Sequence, residues 1–347
     1  MIRAWHELPK KLRLWGAACC FVLGVIFLGY LNLSSGRPNF AFWEVMNALI
    51  GSPEAEGRAN FLIVGTRLPR ILVAILAGAG LGVAGYLMQG SLRNPLADPG
   101  LLGVSQAAAL AVAVAAIYPE LLPGHFPRAV LCLIAGSGAG AIVLFAASNI
   151  RSTVRLILAG VVVSGLFAVL TTMVIFTAPY DRTTSGGLAG YLRYTAGSLI
   201  GLYWDDFHSL WPWLLAGLIP SWFSTKAVNL LQLGDEMASG AGLNPGKARI
   251  ALLAIALLLV CPIIAVIGPL GFIALFSPHI SRFIMADSSA RPVMILSALC
   301  GAFLTVAADT AGRLLFFPVE VPAGVWTIVV ITPVALSLLS MRLRRAG

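Results

Sequence analysis

The stretch GTRLPRILVAILAGAGLGVAGYLMQGSLRNPLADPGLLGVS, Gly65–Ser105, decides how this chain folds. It opens on Arg67, Pro69 and Arg70 and runs from Ile71 to about Gly90 in mostly apolar and small residues. About 20 such residues, each rising 1.5 Å along a helix, cross a bilayer core. Gly78, Gly80, Gly82 and Gly85 put small residues on several faces, which lets neighbouring helices approach closely. The run closes on a polar, proline-broken loop, Asn94-Pro95-Leu96-Ala97-Asp98-Pro99-Gly100, before a second apolar run begins. The pattern predicts a membrane helix packed inside a bundle, with a rigid turn at one mouth.

Composition extends that reading to the whole chain. Of 347 residues, 59% are hydrophobic and 11% charged, against roughly 25% charged in a soluble domain. The fold class is therefore all-α and polytopic, with a single transmembrane domain over 1–347. Ten runs qualify as spans, at about 14–33, 71–90, 102–118, 129–147, 156–178, 209–223, 250–267, 270–284, 293–315 and 324–340. The basic N-terminus before the first run resembles a signal peptide, but the run is too long for an h-region, so it reads as a retained first span.

The net charge of +9 does not point to nucleic acid, because no basic cluster is interleaved with aromatics. It follows instead from the positive-inside rule. With the N-terminus inside, fifteen of the 23 Lys and Arg fall on inner segments and eight on outer ones. Both termini are expected on the cytoplasmic side. The five cysteines lie within apolar runs without metal-ligand spacing and read as small core residues.

Two connections exceed what a turn needs, the outer segment 178–209 and the inner segment 225–249. The inner one is helix-like in its first half, with Leu230, Leu231 and Leu233 beside Asp235 and Glu236. Gly240, Gly242, Asn244, Pro245 and Gly246 then break it. A short helix under the membrane fits either a contact surface for a soluble partner or an ordinary interfacial helix. The two halves of the chain also look loosely alike, each with a small-residue-rich span followed by Pro and Arg (Arg93-Asn94-Pro95; Pro278-His279 with Arg282), as an internal duplication produces.

Little catalytic chemistry is present. In AGLNPGKA, residues 241–248, Ala241 and Ala248 stand where a phosphate-binding loop needs Gly and Ser or Thr. The four histidines are scattered, and no metal site or acid–base pair is expected. Asp309 lies inside the ninth span with Arg313 four residues on, on one helix face. The pair is a functional candidate or a self-neutralising packing device. Arg67, Arg70 and Arg313 sit at the outer rim, suited to an acidic partner, an anionic substrate or headgroup anchoring. With Asp309 the only buried carboxylate in view, proton coupling is poorly supplied, and a separate subunit is the expected energy source.

RLPR (67–70), MQGSLRNPLADPGLLGVS (88–105), LAGV (158–161), GPLGFIALFSPHISR (268–282), AADTAGR (307–313) and EVPAGVWT (320–327) resemble the FecCD-type permease subunits of iron–siderophore, haem and cobalamin ABC importers. The resemblance implies the type II ABC importer permease fold in the inner membrane. Implied partners are a second permease, identical or paralogous, two cytoplasmic ATPases and a periplasmic binding protein. ATP and Mg would bind the ATPases, and no cofactor or metal would bind this chain. The rim arginines Arg67, Arg70 and Arg313 match those that dock the binding protein. Asn94, Leu96, Ser152 and Thr153 match a cytoplasmic gate. Asp235, Glu236, Gly242, Leu243, Asn244 and Pro245 match the segment seated on the ATPase. The implied cargo is a ferric siderophore, with haem, cobalamin or another metal chelate as the alternative. Trp326 is bulkier than the family's usual residue in P-x-G-V-x-T, and Tyr194 and Ile331 also depart from the pattern.

Overall fold

The computed structural model describes residues 9–52, 57–121, 127–147, 153–177, 192–286, 289–330 and 332–333. Among these residues the chain is helical, without a strand. Helices α1 (Lys10–Ser34), α2 (Phe42–Ile50), α3 (Gly57–Leu92), α4 (Val104–Ile117), α5 (Arg128–Ala147) and α6 (Thr153–Phe176) form the first half. Helices α7 (Trp204–Gln232), α8 (Asp235–Gly240), α9 (Pro245–Ile267), α10 (Ile273–Met285), α11 (Ala290–Leu314) and α12 (residues 323–330) form the second. Ten of these fall on the ten expected runs. Both termini, residues 148–152 and residues 178–191 of the expected outer segment 178–209 lie outside the described residues.

The small-residue-rich helix α3 is the centre of the bundle. α3 is 36 residues long and its most apolar window is 78% buried, whereas the corresponding windows of α1 and α6 are 11% buried. It packs against α7, α9, α10 and α11. The tightest crossing is with α11. A Cβ on Gly78 would strike the carbonyl of Gly301, and one on Gly82 the carbonyl of Ser297. A Cβ on Gly301 would strike the carbonyl of Gly78 in return. Membrane helices associate through such backbone-to-backbone packing, because lipid tails remove the hydrophobic drive between them. The expected function of the glycines is thus observed, with α11 as the named neighbour.

Several local expectations need correction. α3 begins earlier than its apolar run, through a π-helical segment Phe61–Arg67 that carries the chain into Leu68 without a break. α2 was not foreseen. Its N-terminus is capped by the Glu44 carboxylate, which accepts the Ala41 N–H at 2.5 Å. α7 continues through Pro212 and Pro220 for 29 residues, far beyond the expected 209–223. Neighbouring helices re-satisfy the backbone groups that such prolines free. Leu230 and Leu231 therefore belong to α7, and only the six residues Asp235–Gly240 form the separate short helix. Gly234, at φ +112°, makes the break. Pro278 and His279 lie inside α10 and not in a loop, so they do not match the Arg93–Pro95 turn. Of the cysteines, Cys132, Cys261 and Cys300 are buried, while Cys19 and Cys20 are exposed on α1.

The elements bring the charged residues to two opposite ends. One end gathers Arg13, Arg93, Asp235, Arg249 and Arg282, and the other gathers Arg67, Arg70, Asp309, Arg313 and Glu320. Their arginines are subsets of the inner and outer groups drawn from the orientation rule.

Candidate functional site

At the end expected outside, the three rim arginines converge. Arg67 closes the π-helical segment, Arg70 sits on the next turn of α3, and Arg313 lies near the end of α11. They are only 6%, 9% and 8% exposed. Arg67 donates from Nη1 to the Leu33 carbonyl at 2.6 Å and from Nη2 to the Pro38 carbonyl at 2.8 Å, with its guanidinium over the Phe40 ring. Arg313 Nη1 donates to the Asn32 carbonyl at 2.9 Å. Both guanidiniums lie against Gly36, whose φ of +131° and missing side chain let the α1–α2 turn rest on them.

Asp309 does not pair with Arg313 as its spacing predicted. Its carboxylate accepts from Arg70, at 3.1 Å from Nε to both oxygens and 2.8 Å from Nη2 to Oδ1. Arg70 Nη1 also donates to Glu320 Oε2 at 2.8 Å. The α3–α11 crossing explains the choice, because it brings the two side chains face to face across 239 positions of sequence. Glu320 was inside a quoted motif but was given no role. Its signal, an acid just before Pro322, is too common to single out.

At the opposite end, Arg93 caps α3 in the left-handed region, and the Asn94–Asp98 loop folds back on itself. Asn94 is 4% exposed. Its Oδ1 accepts the Leu96 N–H at 2.9 Å, a local turn that pre-sets the loop. Its Nδ2 is buried with no hydrogen-bond partner among the described residues. Leu96 itself is 49% exposed. Of the other gate candidates, Ser152 lies outside the described residues and Thr153 opens α6. The structure therefore brings Asn94 and Leu96 together and leaves the second half of the gate undescribed.

The candidate contact segment lies beside that loop. Asp235 opens α8, Glu236 is exposed, and Gly242, Leu243 and Asn244 form the turn into Pro245 at the first position of α9. Asn244 Oδ1 accepts the Lys247 N–H at 3.0 Å and caps α9. Asp235 pairs with Arg249 at 2.6 Å and lies 3.7 Å from Arg93. Arg249 was counted in the sequence only as one of the inner charges. A partner 14 positions away across a glycine-rich turn leaves no periodic trace.

Between the two ends lies a cavity of about 380 Å³, near the small end of the roughly 300–1,000 Å³ typical of ligand clefts. Leu81 of α3, Ile263 of α9, Thr195, Leu270 and Ile328 line it, and Asp98 and Gln106 add polar groups. Trp326, next to the lining residue Val325, stacks on Phe316 at 5.9 Å between centroids. A Cβ on Gly312 would strike the Val321 carbonyl and crowd the Trp326 ring.

A bundle of apolar helices around one glycine-packed span, charged at both ends, has the build of a membrane transport permease. The chain belongs to the FecCD transport family, whose model matches residues 24–341. Among curated relatives it is similar to the Fe(3+)-citrate import system permease YfmE of Bacillus subtilis, 37% identical over 92% of this chain and 93% of that one. The ferric enterobactin permease FepG of Escherichia coli is 32% identical over 88% and 90%. The hemin permease HmuU of Yersinia pestis is 32% identical over 94% and 97%. A solved inward-facing metal-chelate type ABC transporter shares the fold, with a TM-score of 0.77 and 24% identity over 93% of this chain and 98% of that one. The ABC importer permease fold read from the sequence is thereby established. Permeases of this family work with ATPase and binding-protein partners.

Proposed function

We propose that this chain is the non-catalytic permease subunit of an ABC importer that carries a ferric siderophore across the inner membrane. The observation that supports the cargo is similarity over nearly the full length, at 37% and 32% identity, to permeases named for ferric citrate and ferric enterobactin. Hemin is the second reading, favoured by the HmuU similarity over 94% of the chain.

A periplasmic binding protein docks on the outer end through Arg67, Arg70 and Arg313. These three cations face two carboxylates, Asp309 and Glu320, so the cluster keeps a surplus positive charge for an acidic surface. A second permease, identical or paralogous, packs along exposed apolar faces such as that of α6, where Leu158, Val162 and Leu166 are all more than half exposed. The cavity next to Asp98 forms part of the path. Two cytoplasmic ATPases, which hold ATP and Mg, seat on the α8 segment, where Leu233 and Met237 are 65% and 64% exposed beside Glu236. Their closure moves this segment and opens the gate at Asn94, Leu96, Ser152 and Thr153. Both termini lie in the cytoplasm. Uptake of 55Fe-labelled ferric citrate, ferric enterobactin and haem by a deletion strain complemented with this gene tests the cargo. Haem uptake alone would replace the siderophore reading.

A further inference from the structure

Arg249, at the start of the second turn of α9, touches two elements at once. Its Nη1 donates to Asp235 Oδ2 at 3.0 Å and its Nη2 to Asp235 Oδ1 at 2.6 Å. Its Nε donates to the Ser91 carbonyl at 3.1 Å. Asp235 is the first residue of α8, and Ser91 lies in the last turn of α3, three residues before Asn94. A planar guanidinium that grips a carboxylate with both Nη atoms and a carbonyl with Nε fixes the relative position of the two elements. A lysine ammonium, a point charge on a flexible stem, cannot reproduce that fork.

The chain itself enters and leaves α8 through two glycines at positive φ, Gly234 at +112° and Gly242 at +83°, and the exit turn is tied by the Leu243 N–H donating to the Ala238 carbonyl at 3.0 Å. The last turn of α3 is in turn held from its other side by α10. Arg282 donates to Gln89 Oε1 at 2.5 Å, and Gln89 Nε2 donates to the Leu275 carbonyl at 3.0 Å. Arg249 thus joins α8 to the last turn of α3, beside the longer 3.7 Å contact of Arg93 with Asp235, while Gln89 ties that turn to α10.

We propose that Arg249 is the positioning residue that transmits displacement of α8 to the Asn94–Leu96 loop, linking ATPase contact to the inner gate. The proposal rests on the importer reading above and deepens it. The bidentate pair with Asp235 is the input, and the Nε bond to Ser91 is the output.

The test uses the complete transporter, with its ATPases and binding protein, in proteoliposomes. Uptake of 55Fe-labelled ferric citrate and ATP hydrolysis are measured in the same vesicles for Arg249→Lys, Arg249→Gln, Asp235→Asn and the Asp235→Asn/Arg249→Gln double variant. In the Arg249 variants assembly and hydrolysis should persist while uptake per ATP falls about tenfold, within the roughly 5–150-fold range of coupling between sites. The double variant should be no worse than the poorer single one, since both break one link. Wild-type uptake per ATP in Arg249→Lys overturns the proposal. So does a loss of assembly and hydrolysis in step with uptake, or losses that multiply in the double variant.

Hydrogen exchange reads the link without reference to any cargo. Amides of Leu96 and Ala97 should exchange about fivefold faster in Arg249→Lys with α9 unchanged, and unchanged exchange overturns the link. A wild-type complex that transports no chelate on ATP would instead count against the importer reading, and leave the exchange result to decide the link.

Discussion

Arg70→Leu should destabilise the bundle more than Asp309→Leu, and replacing both should cost less than Arg70→Leu alone. The order follows from who is left stranded. The Asp309 side chain is 3% exposed, and among the described residues Arg70 is the partner that takes its carboxylate. Removing Arg70 leaves a buried carboxylate alone, which costs about 3–5 kcal/mol when a buried pair is broken from one side. Removing Asp309 leaves Arg70 with Glu320, whose side chain is 33% exposed and 2.8 Å away. The loss is then closer to one charged hydrogen-bonding partner, about 1.5–3 kcal/mol. Replacing both residues removes both buried charges, which is often near neutral. Midpoints of thermal unfolding for the full chain in nanodiscs would rank the variants. Had Asp309 paired with Arg313, as their spacing suggests, Arg70→Leu would be the mild change. Equal effects of the two single substitutions, or strict additivity in the double variant, would refute the assignment.

Gly82→Val should drive α3 and α11 apart and cost about 1–3 kcal/mol or more through overpacking, whereas Gly138→Val, with nothing within 4 Å, should leave the same unfolding midpoint unchanged. The Arg249 hydrogen bonds hold the Asp235 carboxyl below the usual carboxylate range. A depressed acid contributes its stability above the ordinary Asp value near about 4 and loses it as pH falls through the lowered one. Exchange at α8, corrected for intrinsic rates, should therefore stay flat from neutral pH to about 5 and rise only in stronger acid. In Asp235→Asn that acid step should be absent. Neutralising Arg67 or Arg313 to Gln, which leaves the Arg70–Asp309 pair in place, should weaken capture of the cognate binding protein, most at low salt where screening is least, and binding that is unaltered at every salt concentration would remove these arginines from the docking surface.

The span positions were legible because length and hydropathy alone decide whether a helix crosses lipid. Gly78 and Gly82 were legible as small residues, but their contacts with Gly301 and Ser297 were not, since a helix crossing pairs residues by geometry and not by spacing. The same crossing hid the Arg70–Asp309 bond behind a closer and plausible neighbour, Arg313. Pro212 and Pro220 misled in the opposite direction. A proline stops a helix in water, yet here α7 runs through both. The residues assigned to docking, gating and contact came from motifs and not from periodicity. Arg249 and Glu320 carried no motif role, so only their hydrogen bonds reveal them.

The most direct measurement compares proteoliposomes holding this chain alone with vesicles holding the complete transporter, each given labelled ferric chelate outside and an imposed proton gradient. Accumulation above the external concentration should occur only when the ATPase subunits and ATP are present. Uphill accumulation by this chain alone would contradict the account.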